Sequence, residues 1–328
     1  MAILPNPPSA STKPGHQVEN HIQPAPPFPD GLKVLHNCPD AAVVDICFVH
    51  GLTGDRESTW TARGHSQIPW PKTLLPPRLS KGVRILTYGY DAYIVRRGVA
   101  GSNRLIDRAT NLLHNLTTER SSSSNASSRP LIFVAHSLGG LVCKKAVLIS
   151  RNNPEADLAG IFECIKDQLL ESIQVNFWLM VRGLREGGRG FEVTCFFEEL
   201  PLPAVGKVVS KASATLEGYP SFSIHADHND MVRFTSPEEN GFKRLLGVLE
   251  KWISQVGYLQ DQSQMEEGCH ERRPCRRQRR AVGLLALSTT MALKPPNTLL
   301  VSLLAPVQQM LDNIRLSIKP LVSKNSIE

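Results

Sequence analysis

Apolar residues along the middle of the chain come in two alternating textures: short β-branched runs and longer stretches apolar on one face. Val43-Val44-Asp45-Ile46-Cys47-Phe48-Val49 predicts a buried strand running into a turn at His50-Gly51, and Val83 to Tyr88 predicts a second. Leu105, Ile106, Ala109, Leu112, Leu113 and Leu116 then fall on one face of a helix. Leu131 to Ala135 predicts the next strand and Gly140 to Ile149 the helix after it. Val193 to Phe197 and Phe222 to His225 read as later strands, and Phe242, Leu245, Leu246, Leu249, Trp252 and Ile253 as an amphipathic closing helix. Strands alternating with helices predict an α/β domain over residues 41–257, with a mostly parallel sheet covered on both faces.

The flanks have a different texture. Residues 1–40 are rich in proline, with Pro24, Pro26, Pro27 and Pro29 clustered, which favours extended, poorly ordered chain. Residues 258–328 read as an irregular tail of polar stretches and apolar fragments, interrupted by Pro295-Pro296. Ser121 to Ser128 reads as a surface loop.

Charge and cysteine content narrow the class. The net charge of +7 is concentrated in Arg272, Arg273, Arg276, Arg277, Arg279 and Arg280. No interleaved aromatics accompany these arginines, so a solvated tail is expected rather than a nucleic-acid interface. The 7 cysteines are irregularly spaced and lack a C-x-x-C pair, which argues against a disulfide framework or a metal site. Cys47, Cys143 and Cys195 are expected as buried thiols in a reducing, intracellular and cytoplasmic setting, with no cofactor. Prolines stand where a secretory signal would need an apolar core, and the apolar runs Ala281–Leu293 and Leu299–Ala305 are shorter than the ~20 residues of a membrane span.

The chemistry lies in Ala135-His136-Ser137-Leu138-Gly139-Gly140, between a predicted strand and a predicted helix. A nucleophile elbow needs this arrangement: a sharp turn presenting a serine, with small residues letting strand and helix approach. Upstream, His50-Gly51-Leu52-Thr53-Gly54 follows a strand, where glycines would let main-chain N–H groups reach an oxyanion; Leu52 and Leu138 are the expected donors. A serine hydroxyl needs a general base, and the order in such folds is serine, acid, histidine. His228, in a polar loop past a strand, is the expected base; His225 reads as a packed or surface residue and His270 as part of the tail. Glu198 and Glu199 both follow the Val193 strand; Glu198, first off its end, is the expected acid, with Asp227 and Asp230 too close in sequence to His228.

These residues, with Ser58-Thr59-Trp60, Trp70-Pro71 and Leu86-Thr87-Tyr88-Gly89-Tyr90, make residues 33–256 resemble the serine-active-site-containing protein family of lipase-like α/β-hydrolases. The best resemblance is to fungal members that precede nucleotide-binding and repeat modules. It implies an α/β-hydrolase fold, hydrolysis of an acyl ester or lipid, Glu198 as acid and His228 as base. It further implies peripheral association with mitochondrial or endoplasmic-reticulum membranes.

One departure stands out. After the elbow helix the family has a core strand ending in a Gly-Thr-Pro-His turn, whereas here Ile161 to Lys166 runs directly into Asp167, with Leu169, Ile173 and Phe177 on one side of a new helix. The sheet is therefore expected to lack one core strand, as after a deletion at Lys166-Asp167. Either the acid strand closes the gap, or the chain is a catalytically impaired binding or signalling module. Unpaired strand groups would cost about 1–3 kcal/mol each if buried.

Overall fold

The central strands form where β-branched and aromatic runs can be buried on both faces. The computed structural model describes residues 29–38, 42–52, 54–64, 67–79, 82–92, 101–121, 129–151, 168–187, 191–203, 206–209, 211–270 and 298–303. Residues 1–28, the serines of 122–128, the junction at 161–167 and the arginines of 272–280 lie outside these.

Seven strands, β1 (Gly31–His36), β2 (Val44–Val49), β3 (Val83–Gly89), β4 (Leu131–His136), β5 (Val193–Glu198), β6 (Ser221–Ile224) and β7 (Thr298–Leu303), form one sheet. Its order is β1-β3-β2-β4-β7-β5-β6. Only β1 runs antiparallel; every other pairing is parallel. The helices are α1 (Trp70–Thr73), α2 (Gly101–Ser121), α3 (Leu138–Arg151), α4 (Gln168–Glu186), the short α5 (Lys211–Ala214) and α6 (Asn240–His270).

Strand side chains alternate between two cores. Cys47, Val49, Leu86, Phe133, Ala135 and Cys195 pack with α2, α3 and α4 on one face. Val44, Ile46, Phe48, Ile85, Val134 and Phe196 pack on the other face with Trp60, Trp70 and α6. This two-sided burial explains why the central strands read as continuous apolar runs. The thiols of Cys47, Cys143 and Cys195 are free and buried, and burial raises the pKa of each.

Three sequence expectations change. Within the proline-rich flank, Gly31–His36 is an edge strand, paired antiparallel with β3 and bulged between Val34 and His36. Its half-exposed pattern made it illegible beside the buried runs. The closing helix continues to His270 instead of ending near residue 257. Most consequential, the expected gap in the sheet is filled. Among the described residues no strand lies between α3 and α4, but Thr298–Leu303, assigned by sequence to the irregular tail, occupies the slot between β4 and β5. All six of its residues register with Leu131–His136, and Leu300, Val301 and Ser302 register with Val193, Thr194 and Cys195. β5 does not close onto β4, and the ladder is not left open.

One buried side chain is at odds with its surroundings. Lys144 on α3 is 1 % exposed. Its ammonium donates to Gln174 Oε1 of α4 and lies 5.2 Å from the centre of the Phe177 ring. Burial pushes its pKa down to about 7. The unfolded chain, with an ordinary lysine near 10.5, therefore binds more protons between about pH 7 and 10.5. This group's contribution to stability accordingly rises with pH across that window. Lys144→Met is expected to be more stable than the parent at pH 7 by about 1–3 kcal/mol. Urea denaturation should show that gap narrowing toward pH 10; a gap independent of pH would rule out titration of Lys144 as its cause.

Candidate active site

The turn leaving β4 is strained where the sequence motif requires it. Ser137 has φ of 53°, the one positive value at a non-glycine among the described residues. An L-residue persists in the left-handed region only when its surroundings hold it there. Here α3 begins at Leu138, and the Gly140 N–H donates to the Ser137 carbonyl at 3.0 Å. Gly139 lets the helix start press on β2: a Cβ there would collide with the Val49 and His50 carbonyls. Gly51 meets the elbow from the other side, where a Cβ would lie 2.8 Å from that of Ser137.

The His50-Gly51-Leu52 turn thus lies directly against the serine, held by a histidine that carries no charge near neutrality. The His50 ring accepts the Tyr90 N–H at Nε2 (3.1 Å) and donates from Nδ1 to the Gly51 carbonyl (2.8 Å). Tyr90 stacks on the ring at 4.3 Å, and its hydroxyl donates to the His50 carbonyl at 2.8 Å. Burial lowers the His50 pKa to about 4, which fits a neutral ring with one donor and one acceptor. Leu138, first residue of α3, has no carbonyl one turn earlier in the helix to receive its N–H. Leu52 and Leu138 are both buried beside the elbow, and Thr53 lies outside the described residues.

Strand β5 ends in the carboxylate that the serine lacks locally. Glu198 is 3 % exposed and His228 7 %. His228 Nδ1 donates to Glu198 Oε2 at 2.7 Å. The other carboxylate oxygen accepts the main-chain N–H groups of Val208 (2.6 Å) and Val209 (3.2 Å). With Nδ1 donating, Nε2 is left as the basic nitrogen, and it is buried without a hydrogen-bond partner.

The competing residues are accounted for. Glu199 turns outward and accepts from the exposed His225 at 2.8 Å. Asp227 caps its own turn through the N–H groups of Asn229 and Asp230. Asp230 pairs with Arg233 at 3.0 Å. His270 ends α6, and its side chain is outside the described residues.

Two positioning contacts were not evident beforehand. His136 donates from Nε2 to the His228 carbonyl at 2.9 Å, and the two rings lie 4.8 Å apart. Burial lowers the His136 pKa well below the ordinary value, so this ring stays neutral. Trp70 Nε1 donates to the Val232 carbonyl at 2.7 Å, tying the far end of the His228 loop to α1. His136 sits inside the elbow motif, and that position was the available signal; the reach of Trp70 across the fold left none.

No family model matches the chain. Among curated proteins it is similar to human Protein SERAC1, 27 % identical over 148 residues, covering 39 % of this chain and 22 % of that protein. It is also similar to SERAC1 of Danio rerio, 29 % identical over 170 residues, covering 44 % of this chain and 24 % of that protein. The matches thus span about a quarter or less of those relatives' length. Among solved structures it is similar to TT1662 from Thermus thermophilus, with TM-score 0.37, 15 % identity and coverage of 66 % of this chain and 91 % of that one. For an inhibited esterase B from Lactobacillus rhamnosis the TM-score is 0.35 and the identity 11 %, over 68 % and 79 % of the chains. A strained serine leaving a central parallel strand for a helix has the turn geometry that a nucleophile elbow requires, and the two-faced, mostly parallel sheet around it is an α/β-hydrolase fold.

Proposed function

We propose that the chain is a serine hydrolase that cleaves acyl esters through Ser137, His228 and Glu198. The observation that carries this reading is the buried 2.7 Å pair between His228 and Glu198, with Nε2 of the same ring unpartnered and the ring 4.8 Å from that of His136, the residue before the strained Ser137. His228 Nε2 takes the Ser137 hydroxyl proton as Oγ attacks the ester carbonyl carbon. Negative charge then gathers on the carbonyl oxygen, within reach of the Leu52 and Leu138 N–H groups. Collapse expels the alcohol, which leaves with the proton from His228, and a water repeats the sequence on the acyl-enzyme. Glu198, fixed by Val208 and Val209, holds the imidazole in the required tautomer.

The resemblance to the lipase-like family extends this reading to lipids at a membrane surface. Among the described residues no helix is long and apolar enough to cross a membrane. The alternative of an impaired binding module rested on an open sheet, and β7 removes that support.

Fluorophosphonate labelling tests the reading. The parent is expected to label on Ser137, and Ser137→Ala, folded by circular dichroism, is expected not to. A folded parent that does not label would overturn the proposal.

A further inference from the structure

We propose that Thr298–Leu303 is a donor strand supplied by the chain's own tail, and that docking of this separable segment between β4 and β5 assembles the hydrolase site. The inference rests on the function proposed above for its activity readout, but its structural core is independent of it.

Strands in a sheet lie about 4.8 Å apart, so β4 and β5 are separated by about 9.6 Å, too far to pair and wide enough for one strand. Ser137 follows the last residue of β4, and Glu198 is the last residue of β5. Since His136 registers with Leu303 and Cys195 with Ser302, Ser137 lies level with Phe197, one residue short of Glu198. The inserted strand thus sets the lateral spacing between nucleophile and acid. If β5 paired directly with β4, that spacing would halve to about 4.8 Å, and the Glu198–His228 pair would be pushed into the elbow.

The sequence suits the task. Thr-Leu-Leu-Val-Ser-Leu is an apolar, partly β-branched run, as a strand buried in a parallel sheet requires. Pro295-Pro296 precedes it and Pro306 follows, so the pairing segment is bracketed by residues that cannot donate to a ladder. Among the described residues it is also the last strand in sequence while occupying an interior position. Every other strand, and α6, precedes it in the chain. Residues 271–297 tether it, so docking is an intramolecular association favoured by effective concentration.

Two experiments on the full chain test this. First, Ser302→Cys is expected to form a disulfide with native Cys195 under mild oxidation, since the two are register partners on neighbouring strands. Peptide mapping of the oxidised protein reads this without any activity. Absence of that linkage in a folded protein would overturn the placement. Second, Leu300→Pro removes a ladder donor from the middle of β7. Its labelling at Ser137 is expected to fall about 100-fold or more, as for a misplaced reacting group. A synthetic peptide of residues 296–305 should bind the variant, read by fluorescence anisotropy, and restore its labelling. Parent-level labelling by Leu300→Pro, or a variant that neither binds the peptide nor recovers with it, would overturn the proposal. If the parent itself never labels, the hydrolase reading fails, while the disulfide and peptide binding still decide the donor strand.

Discussion

Glu198→Gln is expected to slow acylation of Ser137 by about 10⁴-fold while leaving the fold in place, because the change acts on a tautomer. Glu198 Oε1 accepts two main-chain N–H groups and Oε2 accepts His228 Nδ1–H, so the site needs acceptors at both positions. A glutamine supplies one acceptor and one donor. With its oxygen toward Val208 and Val209, its NH₂ faces His228 Nδ1. The ring must then accept there and carry its proton on Nε2, the atom that has to take the serine proton. Flipped, the NH₂ opposes two main-chain donors in a buried site, at about 1–3 kcal/mol for each unmet group. The first orientation, which keeps the main-chain hydrogen bonds and gives up the tautomer, is therefore the one expected, and its cost falls on catalysis. Single-turnover labelling beside thermal unfolding would measure this. A variant within tenfold of the parent would mean that Glu198 is not the orienting acid.

The largest effect on stability is expected at the other end of the sheet, away from the chemistry. Asp45 near the start of β2 is fully buried. Arg84 grips its carboxylate through Nε and Nη2, each at 3.1 Å. Arg129 adds a 2.8 Å contact and Arg120 one at 3.6 Å. Burial, more than any neighbouring charge, pulls the Arg120 pKa down. Glu119, which is partly exposed, pairs with Arg84 at 3.2 Å. Asp45→Asn keeps the shape but leaves three largely buried guanidinium groups without the charge they surround. Breaking a buried pair in this way costs about 3–5 kcal/mol. Against the ~5–15 kcal/mol of an ordinary domain, that is enough to unfold a marginal one. Urea denaturation should show the loss, with labelling per folded molecule unchanged because His50 and the elbow lie at the opposite strand ends. A loss below about 1 kcal/mol would mean that the cluster is better solvated than its burial indicates.

The interior strands and principal helices were legible because each is a contiguous signal. The β2 and β4 runs are buried at every position, and the observed strands differ from expectation by a residue or so at their ends. Leu105, Ala109, Leu112 and Leu116 all lie buried along α2, as their spacing required. The residues of the candidate site were legible for a related reason: the elbow is a local motif, and the acid and histidine follow it in a set order. The pairing Glu198–His228 rather than Glu199–His225 was less secure by position, and burial separates the two, one pair facing in and the other out.

What the sequence by itself determined was the alternation of strand and helix, the serine at its turn, and the set of side chains from which a site could be drawn. Those follow from periodicity and local backbone chemistry, which act over a few residues. The neutral clamp of Tyr90 on His50, the tie from His136 to the His228 carbonyl and the origin of the strand between β4 and β5 came only from the tertiary structure. The tail strand shows why. An apolar, partly β-branched hexapeptide in a proline-interrupted tail can pair as a strand, but nothing local says which strands it joins. It becomes one because a sheet elsewhere in the chain offers two facing rows of N–H and C=O groups, one strand's width apart, that nothing nearer in sequence among the described residues satisfies.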